Sequence, residues 1–482
     1  MNKLNSSFLL SKIIGLFLGP VFFILIKYSN IDILSDSALN VVSLASWMLI
    51  WWITEAVSIS VTALLPLLIF PLFNVMPMND VGANYGSSIV FLFFGGFVIA
   101  LSMEKVNLHK RISLSIINKI GSTPKRIILG FMISTAFLSM WISNTASTVV
   151  MLPIALSVID LLIKKEKYNN QEYNFSLCIM LGIAFSANAG GIATIIGTPP
   201  NIVLIGLLEN EYNIKISFLN WMVIGLPFSI VLISIIYLVL TKLMFPIDNL
   251  YFKASNDLIY TQLKALGRIS KKEKLVLIIF TTTVFLWIFR GCINSLFPDL
   301  LISDTSISIA AAILLFTIPY DLKKFKFILK WNDTKNLSWG ILLLFGGGLA
   351  LAKGMSQTGI ILIITNLITE TYLSTFLIVS LLIALMLFMT ELMSNVALVA
   401  VIAPVVAGMA IGLNIPLLHL LIPITIASSC AFMLPMATPP NAIVFASGYV
   451  RVFEMARVGI ILNIISIIML VIVYKYFIPL VF

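Results

Sequence analysis

The sequence predicts an all-α membrane protein of about eleven transmembrane helices and two re-entrant hairpins, arranged as two related halves. Three observations carry that reading. Of its 482 residues, 60% are hydrophobic and only 10% charged, against roughly 25% charged in a soluble domain. Windows of about 20 apolar residues, enough to span a bilayer, recur along the chain, whereas the strands of roughly ten alternating residues that a β-barrel would need are absent. A polar island, Trp141-Ile142-Ser143-Asn144-Thr145-Ala146-Ser147-Thr148, comes back as Met393-Ser394-Asn395-Val396-Ala397. Ser143 and Ser394 are 251 positions apart, as are Asn144 and Asn395, Ser139 and Thr390, Pro153 and Pro404, and Phe94-Gly95-Gly96 and Phe345-Gly346-Gly347. One spacing held across these landmarks marks an internal repeat.

Residues 1–36 hold a first helix, 13–28. Lys3 and Lys12 precede it and no small-residue cleavage motif follows, so a retained helix leaving the cytoplasm is expected rather than a signal peptide. Repeat 1 covers 37–245. Its helix 38–56 carries Trp47, Trp51 and Trp52, the residues of an interfacial belt or of simple packing. A helix over 59–73 includes Pro66 and Pro71, and one over 87–103 uses Gly95-Gly96 for close packing. Between 104 and 126, Lys105, Lys110, Arg111, Lys119, Lys125 and Arg126 alternate with apolar residues at helical spacing, the pattern of a helix lying on the cytoplasmic surface. Residues 127–163 contain no Lys or Arg and end at the basic run Lys164-Lys165-Glu166-Lys167, so both ends belong on the cytoplasmic side. The polar turn at its middle predicts a hairpin whose tip stops inside the membrane, where irregular backbone is tolerated only against protein or a cavity. A helix over 175–208 is broken by Asn188-Ala189-Gly190-Gly191 and by Gly197-Thr198-Pro199-Pro200-Asn201, because Gly and paired Pro interrupt the helical ladder. A helix over 218–245 and a Lys-rich cytoplasmic linker, 246–274, complete this half.

Repeat 2, 275–482, mirrors it, with helices at 275–297, 303–320 and 337–352. The loop bearing Lys323, Lys324, Lys326, Lys330 and Lys335 is cytoplasmic by charge. After Lys353 no Lys or Arg follows until Arg451, so the segment 354–373 lies outside, hairpin 374–412 enters from outside, and a second broken helix, 418–447, carries Ala437-Thr438-Pro439-Pro440-Asn441. Arg451 and Arg457 mark a return to the cytoplasm, and a last helix ends outside. The charge pattern therefore gives the two halves opposite orientation.

The net charge of +10 sits in a few short loops and does not point to nucleic acid. Cys178, Cys292 and Cys430 are too scattered for a disulfide framework or a zinc site, and His109 and His419 form no metal cluster. An intramembrane enzyme would need a base beside a nucleophile; neither histidine lies near a motif serine. The polar residues at the hairpin tips and helix breaks are hydroxyls, amides and backbone. Oxygen ligands suit hard cations, carbonyls freed at a break add more, and free amides at helix N-termini favour an anion. Without Lys or Arg in either hairpin or broken helix, a dianion there would need bound cations as counter-charge.

These motifs resemble the divalent anion:sodium symporter family, which carries dicarboxylates, citrate or sulfate. The resemblance covers essentially the whole chain. It rests on Ser143–Thr145 and Ser394–Val396, on Thr198–Asn201 and Thr438–Asn441, and on Ile53-Thr54-Glu55-Ala56-Val57 followed by Thr62-Ala63-Leu64-Leu65-Pro66. It implies co-transport of at least two Na+ ions, one site using Ser139, Ser143, Asn144 and the Gly197 backbone, the other Thr390, Ser394, Asn395 and the Ala437 backbone. It further implies an anion between the tips, touching Asn144, Thr145, Thr198, Asn395, Val396 and Thr438, with Pro199 and Pro439 lining it. A homodimer in the cell (inner) membrane is implied, working by an elevator in which the hairpins, the two broken helices and the helix that follows each of them move against a scaffold. Val396 stands where the family pattern has threonine, so one hydroxyl for the anion is missing. The function expected is sodium-coupled transport of C4 dicarboxylates such as succinate, malate and fumarate, with citrate or sulfate as the alternative cargo. Glu55 and Glu391 stand in apolar runs, where structural hydrogen bonding is the plainer expectation, though Glu391, next to Thr390, is placed to orient its hairpin. Asp160 and Arg290, near helix ends, are expected to reach the interface.

Overall fold

The computed structural model describes residues 2–29, 31, 33–121, 123–162, 170–247, 255–369 and 374–482. The basic run Lys164–Lys167 and part of the expected linker, 248–254, lie outside these residues. In chain order the first half holds α1 (Asn2–Lys27), α2 (Asp36–Thr54), α3 (Ile59–Thr62), α4 (Leu65–Leu72), α5 (Met78–Tyr85), α6 (Ser88–Lys105), α7 (Leu108–Ile120), α8 (Pro124–Ser139), α9 (Asn144–Leu162), α10 (Asn170–Gly191), α11 (Pro199–Tyr212) and α12 (Phe218–Leu238). The second half holds α13 (Ser255–Ala265), α14 (Lys271–Leu296), α15 (Asp304–Thr317), α16 (Trp339–Gln357), α17 (Ile360–Thr369), α18 (Thr375–Met389), α19 (Asn395–Gly412), α20 (Leu417–Ser429), α21 (Pro439–Ala446) and α22 (Val452–Ile472). Among the described residues nine helices are long and apolar enough to cross a membrane.

Several boundaries differ from the sequence reading, each for a local reason. The helix expected over 59–73 is two, α3 and α4, with Pro66 in the first turn of α4, where a missing N–H does no harm. The surface helix expected over 104–126 shrinks to α7, because α6 runs on to Lys105, Asn107 turns the chain with φ 59°, and Gly121 stops it with φ 119°. The Asn188-Ala189-Gly190 run does not break its helix: α10 continues through it to Gly191. The Lys-rich loop after α15 contains a short antiparallel hairpin, β1 (Pro319–Asp321) with β2 (Lys326–Phe327), which the charge pattern could not reveal.

Packing places α10 at the centre. It is buried along nearly its whole length, as a helix apolar on all faces must be, and it touches both arms of the first hairpin, α8 and α9, as well as α21. The two halves cross over: α9 packs on α21, and α19 packs on α11. Each hairpin of one half thus meets the broken helix of the other.

Polar ties join elements far apart in the chain. Lys105 pairs with Asp333 at 2.5 Å. Arg111 on α7 holds Glu273 at 2.6 Å and donates to the carbonyls of Gly267 (3.0 Å) and Leu266 (3.1 Å). Glu273 is buried and also caps α14 together with Ser270. His109 is buried on the same helix as Arg111, its Nδ1 3.0 Å from the Met103 carbonyl, and burial depresses its pKa, which keeps the ring neutral. Arg290 pairs with Asp304 at 3.2 Å instead of serving simply as an interfacial anchor. The other Asp304 oxygen accepts the Phe218 N–H at 3.0 Å, and Phe218 stacks on Trp287 at 4.6 Å. Asp160 accepts from the Tyr449 hydroxyl at 3.2 Å. Glu55 ends α2 in a left-handed turn, exposed, 3.8 Å from Lys12, a pair worth little at such exposure.

Removing Arg111 would strand the Glu273 carboxylate. Breaking a buried pair from one side costs about 3–5 kcal/mol, so R111A is expected to lower the thermal unfolding temperature in detergent well below that of K110A, a neighbour on the same helix.

Candidate functional site

The first hairpin turns between α8 and α9 over residues 140–143. Ser143 is exposed and caps α9, its Oγ accepting from the Ala146 N–H at 3.2 Å. Ser139 is buried one turn earlier and its hydroxyl donates to the Ala187 carbonyl on α10 at 2.7 Å. The Asn144 amide is oriented with its nitrogen toward three oxygens, Ser139 Oγ (2.5 Å), Gly197 O (3.2 Å) and Ala187 O (3.2 Å), since the reverse would set acceptor against acceptor. Three of the four residues expected at the first cation site, Ser139, Asn144 and Gly197, are therefore in direct contact. The approach demands glycine: a Cβ on Gly191 would lie 2.5 Å from the Asn144 side chain, and one on Gly197 would overlap the Gly191 carbonyl.

The second hairpin repeats this. Thr390 Oγ1 lies 2.7 Å from Asn395 Oδ1 and 2.6 Å from the Ser428 carbonyl on α20. Ser394 precedes α19 but makes no capping bond through its side chain, and no hydrogen bond joins Ala437 to Asn395 among the described residues. Of the other expected residues, Thr198, Ala437 and Thr438 are buried, Pro199, Asn395 and Val396 half-buried, and Thr145 and Pro439 exposed. Thr198 and Thr438 directly precede α11 and α21, each of which opens on two prolines. Four helix N-termini, those of α9, α11, α19 and α21, thus belong to the two tips and two breaks, and their N–H ends carry partial positive charge.

The breaks are held by asparagines that sequence reading saw only as part of a Pro-Pro-Asn motif. Asn201 Nδ2 donates to the Thr194 carbonyl at 2.9 Å, and Asn441 Nδ2 to the Leu434 and Ala431 carbonyls, both at 3.1 Å. Asn188, read as a helix breaker, is instead a bridge. Its Nδ2 reaches the Ala431 carbonyl and Thr438 Oγ1, both at 3.1 Å, and Asn441 Oδ1 at 3.4 Å. No spacing rule could have found that partner 250 residues away.

Glu391 carries a larger role than its place beside Thr390 suggested. Its buried carboxylate accepts the N–H groups of Phe432 (2.8 Å), Met433 (3.0 Å) and Leu434 (3.1 Å), and Asn463 Nδ2 at 2.8 Å. Residues 432–434 lie in the irregular stretch between α20 and α21, so these three donors have no helical partner. The signal available in sequence was an acid inside an apolar run. The position 251 residues earlier is Met140, so the first half has no such anchor. Among the described residues no three His, Cys, Asp or Glu side chains gather into a metal cluster.

A family model described as the sodium:sulfate symporter transmembrane region matches residues 11–482. The chain is 39% identical to the sodium-dependent dicarboxylate transporter SdcS of Staphylococcus saprophyticus over 488 residues, covering 99% of this chain and 93% of that one. It is 39% identical to SdcS of Staphylococcus aureus strain USA300 over 492 residues, covering 100% and 94%. Among solved structures it is similar in fold to the Neisseria gonorrhoeae efflux pump MtrF, with TM-score 0.56, 16% identity and 84% and 83% of the two chains covered. The Alcanivorax borkumensis transporter YdaH gives TM-score 0.51 at 11% identity, covering 83% and 87%.

An amide at position 391 would point an NH2 group at backbone donors. Each buried donor left unsatisfied costs about 1–3 kcal/mol, so E391Q is expected to lower the unfolding temperature of the sodium-free protein. An unfolding temperature equal to wild type would remove the anchoring role.

Proposed function

The chain belongs to the sodium:sulfate symporter family, and on that premise we propose that this sodium-coupled transporter moves C4 dicarboxylates such as succinate, malate and fumarate across the cell membrane. The family model is described by sulfate, the relatives by dicarboxylate. Identity of 39% along the whole chain favours the dicarboxylate, and a cargo charged at both ends suits two opposed tips. Citrate and sulfate are the alternative cargoes.

The observation that carries the coupling is the oxygen cluster around Asn144. Ser139 Oγ, Ala187 O and Gly197 O all converge on one atom of its amide, and only a donor or a cation can lie where three acceptors converge. With the nitrogen turned in, the amide satisfies them itself. When the side chain swings aside, Na+, a hard cation that prefers oxygen ligands, takes the place of that nitrogen among the three acceptors, and the displaced amide can offer its own oxygen as a fourth to close the cage. Ser143 adds its remaining lone pair. Thr390, Ser394, Asn395 and the Ala437 backbone form the second cage, so at least two ions accompany each cargo.

The dianion then sits between the tips, on Asn144, Thr145, Thr198, Asn395 and Thr438, with Pro199, Pro439 and Val396 around it. Four helix N-termini supply partial positive charge and the sodium ions supply the rest, which makes up for the absence of Lys and Arg. Loading sodium first lowers the penalty of bringing two negative charges into a low-dielectric site, and that order is the coupling.

The 251-residue spacing and the charge pattern support two inverted repeats, 37–245 and 275–482, joined by the 246–274 linker after the first helix. On that reading the N-terminus is cytoplasmic and the C-terminus outside. The hairpins with α10–α12 and α20–α22 form the part that slides against a scaffold of a homodimer.

Uptake of labelled succinate into vesicles containing the purified protein is expected in sodium and not in choline, and equal rates in both would remove the coupling. Excess sulfate should leave that uptake nearly intact, whereas excess malate should abolish it. N144A and N395A are each expected to reduce uptake to background while leaving the protein folded. Restoring the missing hydroxyl with V396T should tighten the apparent succinate affinity by about 0.5–1.5 kcal/mol, a few-fold; sodium dependence should not change.

A further inference from the structure

The end of α15 and the β1–β2 hairpin line an open groove of about 490 Å³ that the proposed transport does not use. Ile313, Phe316, Phe327 and Leu329 make its apolar walls, with Lys330 and Trp331 also lining it. We propose that this groove binds an anionic phospholipid, with an acyl chain against the apolar wall and the phosphate among the lysines.

Three features of the hairpin point to that ligand. Trp331 is 67% exposed, Phe325 73% and Leu322 79%, so large apolar groups stand out beside the groove. Trp331 rests 6.1 Å from Phe316 in the wall, and Phe325 sits 4.9 Å from Phe327, which continues the apolar surface outward. Lys323, Lys324, Lys326 and Lys330 are exposed among them. The neighbouring acids are already engaged: Asp321 accepts the Lys324 N–H at 3.2 Å, and Asp333 holds Lys105 at 2.5 Å and the Lys330 N–H at 2.6 Å. Aromatic residues and lysines side by side at the end of an apolar helix are the combination that seats at a membrane interface and attracts anionic headgroups.

The alternatives fit less well. A free phosphate would use the lysines and leave the apolar wall wet. A second copy of the chain meeting this patch about a two-fold axis would set its four lysines toward the same four lysines, which like-charge repulsion opposes.

The test uses the full chain in vesicles of equal parts phosphatidylglycerol and phosphatidylcholine, with one or the other carrying a photoactivatable acyl chain. Cross-linked peptides are mapped by mass spectrometry. Phosphatidylglycerol is expected to label 313–331 several-fold more than phosphatidylcholine. A lysine near the surface is worth about 1 kcal/mol, about fivefold, so the K326Q/K330Q double variant should bring the phosphatidylglycerol label down at least fivefold, toward the phosphatidylcholine level. Sodium-driven succinate uptake by that variant serves as its folding control. Equal labelling of wild type by the two lipids would overturn the proposal, and so would phosphatidylglycerol label that the K326Q/K330Q variant keeps in full. The wild-type comparison stands whether or not the vesicles take up succinate, so the lipid site and the transport reading fail separately.

Discussion

Backbone freed from a helix inside an apolar slab has to be satisfied by the protein itself, and the rest of this structure depends on how that is done. Both broken helices leave carbonyls and N–H groups without ladder partners. In the first half the carbonyls are taken up by side chains: Trp221 donates to Ile192 at 3.0 Å, Ser229 to Ala189 at 2.8 Å and Asn201 to Thr194 at 2.9 Å. Thr194 in turn donates to Met140 at the hairpin turn, at 2.6 Å. In the second half the N–H groups are gathered by one carboxylate, Glu391. The second half also has donors, Asn441 on the Ala431 and Leu434 carbonyls, and adds an acceptor to them. The repeat in sequence therefore does not make the two tips electrostatically equal, and the second has an acid beside it that the first lacks.

The same contacts that satisfy the backbone also bring together the oxygens of the proposed cation sites. Ser139 and Thr390 each tie a hairpin to the helix behind it through a carbonyl, Ala187 or Ser428. Folding the break and gathering these oxygens are thus one event. In a protein with thirty Lys and Arg side chains, oxygen density at the tips is made from hydroxyls, amides and backbone that the breaks expose.

Much of this was legible in the sequence, because apolar runs, basic loops and the 251-residue spacing are local or periodic signals. The hairpins and both Pro-Pro-Asn breaks follow from them, whereas the grouping of Ser139, Asn144 and Gly197 was implied by the family resemblance. What stayed hidden depends on tertiary partners. Asn188 looks like a helix breaker beside two glycines, yet α10 runs straight through it, because burial on all sides overrides weak local propensity. The division of 59–73 at Leu64 and the small β-hairpin after α15 come from turn geometry that composition does not encode. Arg290 looked like an anchor at a helix end until Asp304, fourteen residues on, came into reach.

Asn188 has one further effect. From the last turn of α10 it grips Ala431, Thr438 and Asn441 at once, so the helix that leads into the first unwound segment is bolted to the second unwound segment through a single buried amide. A gap whose two jaws share a rivet behaves as a caliper: its span is set when the chain folds, and a guest that is too short or too long is not met halfway. If the cargo sits between the tips as proposed, size discrimination is a property of the frame rather than of the residues that touch the guest.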